Sequence, residues 1–125
     1  MLISRLLSGD QRLQQCAMSN PRHVKQGDKG PYVKLIQLAM LILGDLDVDD
    51  GEMANQYYGS STAAAVLDYK QKRNIINPAY QSQADDIVGI MTIKAIDAEL
   101  AQRELAAVID NVDPSGGVDV RTDRD

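Results

Sequence analysis

The sequence predicts an all-α protein, a bundle of three principal helices preceded by a short N-terminal helix. Three observations favour this class. The 125-residue chain has neither Trp nor Phe, so its core must be built largely from Leu, Ile, Val, Met and Ala, a set rich in helix formers. Apolar residues recur at helical spacing in three segments. A fourteen-residue pattern also occurs twice, thirty positions apart, which indicates a repeated supersecondary unit.

Residues 1–23 are predicted to be a lead-in that contains the short helix. Ser8 and Gln11 fit the S-x-x-Q capping box, in which the two residues satisfy each other's backbone donors. The helix is expected to end at about Ala17, before Asn20-Pro21, because the residue before proline is biased away from the helical region. Its apolar side chains should fold back onto the main body. They are Leu6, Leu7, Leu13 and Met18.

The first principal helix is predicted from Pro31 to about Leu43. Pro31 follows a turn that contains Gly30, and the missing N–H of proline costs nothing at the first helical position. Gly44 is the expected C′ residue, the position just after the helix where a left-handed glycine is common. Because apolar residues cover nearly every side of this helix, we expect it to be central and surrounded by its own domain or by a partner.

The two copies of the repeat each predict a tight turn that leads into a helix. The first copy, 55–68, reads NQYYGSSTAAAVLD and opens a helix from about Ser60 to Arg73. The second copy, 85–98, reads DDIVGIMTIKAIDA and opens a helix from about Ile90 to Ile109. The shared positions are turn glycines able to adopt positive φ, first-turn threonines and small alanines that permit close packing. They are Gly59, Gly89, Thr62, Thr92, Ala65 and Ala95.

The remaining segments are predicted to be connections. Residues 45–56 read as an acidic connection and residues 74–84 as a loop. Tyr57-Tyr58 and Ile87-Val88 are candidates for a minimal two-strand ribbon. Residues 24–110 should therefore form the domain, and residues 111–125 a disordered acidic tail.

Charge and hydropathy argue against several classes of partner. The formal net charge is −5, which argues against nucleic acid, because phosphate binding needs clustered Lys and Arg. Leu35–Leu43 is only nine residues long, far short of the ~20 that span a bilayer, so no membrane insertion is expected. The N-terminal apolar stretch is also too short for a standard signal peptide. We therefore expect a cytoplasmic protein, or one that reaches the periplasm or cell envelope by a non-Sec route.

Neither catalysis nor a metal or other cofactor is expected. Cys16 and His23 are the only Cys and His, and both lie in the lead-in, whereas a zinc site needs three or four ligands. The acidic run Asp45–Gly51 is similar to the start of a calcium loop, but its Gly is seventh rather than sixth, which favours a solvated turn. Asp85 and Asp86 are adjacent, whereas glycoside hydrolysis needs two carboxyl groups across a cleft.

Three motifs occur in an order that is typical of one family. Residues 27–30 read GDKG and are followed by Val33 and Ile36; residues 58–62 contain Y-G-x-x-T, and residues 87–92 contain I-V-G-x-x-T. Over roughly residues 24–98 the chain resembles the bacterial peptidoglycan-binding domain of the three-helix type, often appended to cell-wall hydrolases. The chain departs from the D-G-x-F-G and D-G-I-V-G turns of that family, because it has NQYYG and DDIVG there.

The resemblance implies a non-catalytic module that binds peptidoglycan or its fragments and targets something to the bacterial wall. The expected ligand residues lie in or before the two loops, where Tyr offers a flat apolar face and a hydroxyl for sugar rings and peptide stems. They are Tyr57, Tyr58, Tyr80, Gln81 and Gln83. An alternative stays open. The same fold could serve as a protein–protein adaptor or delivery module of a secretion or phage-like system, with a protein as partner.

Overall fold

The computed structural model describes residues 1–79 and 81–110, so the predicted tail lies outside the described residues. The described part is mostly helical, which confirms the all-α class. Its helices in chain order are α1 (Arg5–Ser8), α2 (Gln11–Cys16), a 3₁₀ turn (Asn20–Arg22), α3 (Pro31–Leu43), α4 (Asp50–Asn55), α5 (Ser60–Arg73) and α6 (Ile90–Asp110). None of the described helices is long and apolar enough to cross a membrane.

Helix α3 is the centre of the fold and packs against α1, α5 and α6. Its inner face carries Val33, Ile36 and Met40, which are fully buried. Its own domain does not surround α3 on nearly every side, because Leu41 and Ile42 are 45% and 48% exposed. The helix therefore has one buried and one partly open face.

The ends of α3 depend on two glycines for different reasons. Gly30, before the helix, has a φ of 147°, a conformation that residues with a Cβ rarely adopt. Gly44 ends the helix as predicted, but its φ of −95° is not left-handed. A Cβ at Gly44 would lie 2.8 Å from the carbonyl oxygen of Met40. Close backbone approach, rather than positive φ, therefore accounts for Gly44.

The lead-in helices belong to the same core as α3. Leu7, Leu13 and Cys16 are fully buried within it, whereas Met18 is 76% exposed and does not fold back as predicted. Helix α2 is capped by Asp10, whose carboxylate accepts a hydrogen bond from the N–H of Leu13 at 2.9 Å. The predicted capping box of Ser8 and Gln11 is therefore wrong, because Ser8 belongs to α1 and Gln11 is the first residue of α2.

The N-terminal backbone is also fastened to α6. The N–H groups of Ile3 and Ser4 donate to the Asp97 carboxylate at 2.9 and 2.8 Å, and the N–H of Arg5 donates to Glu104 at 2.8 Å. Asp97 is only 5% exposed. These bonds satisfy backbone donors at the start of α1 that have no partner within that helix.

The predicted two-strand ribbon is wrong. The segments that contain Tyr58 and Val88 do not pair with each other; each pairs with the segment 24–30 instead. Val24 and Val88 exchange backbone hydrogen bonds of 2.9 and 2.8 Å. Tyr58 donates to the carbonyl of Asp28 and accepts from the N–H of Gly27, both at 2.9 Å. One extended segment therefore holds the entrances of both repeat helices.

Candidate functional site

The N-terminus of helix α5, after the turn of the first repeat, is capped by a carboxylate from another part of the chain. Glu52 of α4 accepts hydrogen bonds from the N–H groups of Gly59 (3.1 Å), Ser61 (3.0 Å) and Thr62 (2.9 Å), and from the Thr62 hydroxyl (2.8 Å). A Cβ on Gly59 would lie 2.6 Å from Cδ of Glu52. Gly59 has an extended φ of −100°, so the predicted positive φ is wrong. Its missing side chain makes room for the carboxylate.

These hydrogen bonds keep Glu52 ionised. Partial burial alone would raise the pKa of Glu52, but the bonds from Thr62 and Ser61 outweigh it and lower the pKa from 4.5 to about 2. The first N–H groups of a helix have no partner within the helix and carry partial positive charge. Glu52 supplies both the acceptors and the negative charge that this end of α5 lacks.

Helix α6 begins at the matching turn, but no carboxylate occupies it. Gly89, Met91 and Thr92 are the counterparts of the three donors of the first copy. A Cβ on Gly89 would meet no atom within 4 Å, and Gly89 is not among the glycines with positive φ. No side chain of the described residues therefore stands beside Gly89 as Glu52 stands beside Gly59. The predicted positive φ is therefore wrong here too, and the turn is open.

A cavity of about 370 Å³ lies at this open turn. Gly89 and Thr92 line it from the turn, Lys70 from α5, and Gln81 and Asp85 from the loop after α5. The rest of the lining is Asn20, His23, Ile75, Ile76, Asn77, Ile87, Ile90 and Met91. The cavity thus combines an apolar wall with amide, hydroxyl and charged groups, and it is our candidate functional site.

Lys70 is the buried cation of this site. It is 5% exposed, and its Nζ donates to Asp85 Oδ1 at 2.6 Å and to the carbonyl of Ile87 at 2.7 Å. Asp85 also accepts from the amide of Gln81 and, at 3.1 Å, from the N–H of Ile87. Partial burial would raise the pKa of Asp85, but the hydrogen bond from Lys70 and the others lower it. The ion pair fixes the loop 81–87 against α5.

The structure separates the five predicted ligand residues. Tyr58 is fully buried, with its hydroxyl donating to the carbonyl of Asp86, so it is a core residue with no surface to offer a ligand. Tyr57 is 43% exposed but lies in a different groove, beside α4. Gln81 lines the cavity, and Gln83 is exposed outside it. Tyr80 lies outside the described residues.

Cys16 and His23 do not form a catalytic pair. Cys16 is fully buried, its thiol donates to the carbonyl of Val88 at 3.4 Å, and burial raises its pKa to about 11. A thiol with a raised pKa is a poor nucleophile, because the thiolate is the reactive form. Nδ1 of His23 instead lies 2.9 Å from the carbonyl oxygen of Asn20. In the part of the chain that the structure describes, no group of three His, Cys, Asp or Glu is placed to hold a metal.

Comparison with known proteins identifies no relative of this chain. No family model matches the chain, and neither the curated proteins nor the solved structures give a significant match. The function must therefore be inferred from the residues and geometry described above.

Gly59 and Gly89 should respond in opposite ways to replacement by alanine. We expect Gly59→Ala to lower the free energy of unfolding by about 1–2 kcal/mol, because the methyl group displaces Glu52 from its donors. Gly89→Ala should be neutral or stabilise by up to about 1 kcal/mol, because its Cβ meets open space. Urea unfolding measures both. Equal losses of stability would show that the second turn is not open.

Proposed function

We propose that this chain is a non-catalytic module that binds bacterial peptidoglycan, with the fold of the three-helix peptidoglycan-binding type. Helices α3, α5 and α6 would be the three helices of that type, and α3 packs against the other two. Each Gly-x-x-Thr motif stands at the start of its helix, at Gly59 and Gly89. The observation that carries the proposal is the cavity at the second of these turns.

The cavity suits a small ligand with both polar and apolar parts. Its volume of about 370 Å³ lies within the ~300–1,000 Å³ of typical small-molecule sites. Ile75, Ile76 and Ile90 give it an apolar wall, while Asn77 and Gln81 provide amides. Sugar and peptide fragments of the wall carry methyl groups beside hydroxyl, amide and carboxylate groups, so they match this mixture.

The same geometry supports binding rather than hydrolysis. A glycosidase needs one protonated and one ionised carboxyl group that face each other across the scissile bond. The Asp85 carboxylate is held by Lys70 with a lowered pKa, so it is a poor proton donor. The Asp86 carboxylate accepts from the amide of Gln26 at 3.0 Å and is absent from the cavity lining.

A protein–protein adaptor is the second candidate, and one observation favours it. Leu105, Val108 and Ile109 of α6 are 61%, 49% and 61% exposed. Their spacing of three and four residues places them on one face of the helix. An exposed apolar stripe of this kind is a feature of surfaces that contact other proteins.

Co-sedimentation with purified sacculi tests the proposal. The chain is expected to pellet with sacculi in a saturable manner. Gln81→Ala should weaken pelleting about fivefold, because it removes the amide that holds Asp85 at the cavity wall, and one hydrogen bond is worth about 1 kcal/mol. Gln83→Ala is the matched control, since Gln83 is exposed outside the cavity. A chain that stays in the supernatant would contradict wall binding and favour the adaptor.

A further inference from the structure

We propose that the outer face of α6 pairs with the same face of a second copy of this chain, as an antiparallel, two-fold symmetric helix pair. The face carries Ala98, Ala101, Leu105 and Val108. None of these residues lines the cavity at the start of α6. The inference therefore goes beyond the proposed function and does not depend on it.

The C-terminal part of α6 is apolar and is left uncovered by the rest of the described chain. Residues 105–109 read LAAVI, and all five are exposed. Leu100 is the last buried residue along the described part of α6, and Glu104 is the last that is half-buried. A run of exposed apolar residues is unfavourable in a soluble domain unless it serves an interface, and a helix that is apolar all round is normally buried. This segment therefore needs a cover from outside the described residues.

The spacing of the apolar residues indicates that the cover is another helix. Ala98, Ala101, Leu105 and Val108 follow one another at intervals of three, four and three residues. Residues at this spacing form the stripe along which two helices pack lengthwise. Ala98 is exposed and Ala101 is half-buried, whereas Leu100, one residue away, is buried in the core. Helix α6 therefore has one apolar face for its own domain and a second for a partner helix.

The order of small and large residues along the stripe favours an antiparallel second copy. In such a pair, with the two-fold axis level with residue 103, Val108 of each copy faces Ala98 of the other, and Leu105 faces Ala101. Large side chains then face small ones, which lets the two surfaces interdigitate. In a parallel pair Leu105 would face Leu105, and the close approach that the alanines permit would be blocked. The stripe is thus self-complementary, as a two-fold interface requires.

Electrostatics favours the same arrangement. Lys94 is exposed and lies one turn before Ala98 on the same side of α6. In the antiparallel pair its ammonium group would lie level with the C-terminal end of the partner helix. The last carbonyls of a helix have no partner within it and carry partial negative charge, so a lysine there is stabilising.

The N-terminal segment enlarges this surface. The N–H of Ile3 donates to Asp97 of α6 at 2.9 Å, and Ile3 is 69% exposed. In the antiparallel pair the level of Asp97 is also the level of Ile109 of the partner subunit. Ile109 is 61% exposed in the single chain. Two apolar side chains that are each left in water would therefore come together at both ends of the pair.

Other covers suit the stripe less well. Residues 111–125 contain four aspartates, and their only large apolar residues are three valines. That composition cannot bury much apolar surface. Helices that lie on an anionic membrane are rich in Lys and Arg on their polar face, whereas this chain has a net charge of −5.

Sedimentation equilibrium of the full chain tests the inference. We expect a mass of 13.7 kDa at low concentration that approaches twice this value as concentration rises. The Kd should be on the order of 10–100 μM, because a stripe about 15 Å long gives an interface at the weak end of the specific range. A mass of 13.7 kDa at every concentration, up to well above this Kd, would overturn the pair. Growth beyond a dimer would overturn its closed two-fold symmetry.

Leu105→Asp should weaken dimerisation at least tenfold, because the pair would bury its carboxylate against Ala101. The fold should be unaffected, with an unchanged far-UV circular dichroism spectrum, since Leu105 is 61% exposed in the single chain. Leu41→Asp is the matched control, because Leu41 is 45% exposed on α3, away from the stripe. Dimerisation that withstands Leu105→Asp, or that Leu41→Asp weakens equally, would overturn the assignment to α6.

Cysteine cross-linking tests the direction of the pair. Gln102 is exposed and lies one residue from the proposed two-fold axis, so Gln102→Cys should form an intermolecular disulfide under mild oxidation. Val108→Cys should not, because the two copies of residue 108 would be about 15 Å apart along the pair, and a disulfide needs Cα atoms within about 7 Å. The native Cys16 is fully buried and does not compete. Cross-linking of Val108→Cys, or failure of Gln102→Cys to cross-link, would overturn the antiparallel arrangement.

Discussion

A chain that carries Ile36→Asp is expected to be unfolded at 25 °C. Ile36 is fully buried on the inner face of α3, the helix that packs against both α5 and α6. Burying an unpaired carboxylate costs several kcal/mol, and the lost isoleucine packing adds about 2–4 kcal/mol. The total is comparable to the whole stability of a domain this size, about 5–15 kcal/mol. Far-UV circular dichroism should show loss of helix.

Leu41→Asp on the same helix is the matched control. Leu41 is 45% exposed, so its carboxylate would remain in water, and we expect a change within about 1 kcal/mol. The pair tests which face of α3 is buried independently of helix propensity, because both positions lie inside the helix. A cooperative, wild-type-like melt of Ile36→Asp would show that the inner face is assigned incorrectly.

The long helices could be predicted from the sequence because several local signals agree there. The predicted and observed bounds of α5 are the same, Ser60–Arg73. Pro31 at the first position and Gly44 after the last set the limits of α3. In these segments hydrophobic spacing, start signals and stop signals all favour one structure, so tertiary contacts do not have to override them.

Helix α4 could not be predicted, because its stability depends on contacts outside the segment. Six residues with Gly51 and Asn55 among them are poor helix formers and too few for a stable isolated helix. Asp49 caps the helix by accepting from the N–H of Glu52 at 3.2 Å. Glu52 is in turn held by the start of α5. The acidic composition suggested a solvated connection, but two of its carboxylates have partners in α5: Asp45 pairs with Lys72, and Glu52 accepts from Thr62.

Only part of the candidate site could be predicted from the sequence. Tyr58 resembled a ligand residue by composition, but a tyrosine can be buried when its hydroxyl finds a partner, here the Asp86 carbonyl. Gln81, predicted as a ligand residue, lines the cavity and holds Asp85 there. Lys70 has no sequence signal that separates it from its basic neighbours. Its burial follows from the position of the loop 81–87 against α5.

The repeat is informative because its two copies are not equivalent in space. In sequence, Gly59 and Gly89 occupy the same position of one motif. In the structure, the side chain of Glu52 from α4 fills the space beside Gly59, whereas the space beside Gly89 is open. Seven residues before Gly59 stands Glu52, whereas seven residues before Gly89 stands Ser82. The duplicated turn therefore has an internal carboxylate beside its glycine in the first copy and open space beside its glycine in the second.

Removing the internal acceptor should have the second large effect on stability. Glu52→Gln is expected to lower the free energy of unfolding at pH 7 by about 2–3 kcal/mol. The amide keeps the shape of the side chain but loses its charge, and its NH₂ group would face an N–H donor that the carboxylate now satisfies. Hydrogen bonds to a charged group are worth about 1.5–3 kcal/mol. Asp50→Asn, at an exposed position of the same helix, should change stability by less than about 0.5 kcal/mol.

The pH dependence of this effect identifies the carboxylate as its cause. The folded-state pKa of Glu52, about 2, lies below its ordinary value of 4.5. The stabilisation is therefore complete above pH 4.5 and is lost as the pH falls from there through about 2. Chemical unfolding at pH 7, 4 and 2.5 should show the difference between wild type and Glu52→Gln shrinking toward low pH. Subtracting the two curves removes the contributions of Asp85 and Glu99, whose pKa values are also lowered. A difference that stays constant with pH would mean that the shape of the Glu52 side chain, rather than its charge, stabilises the start of α5.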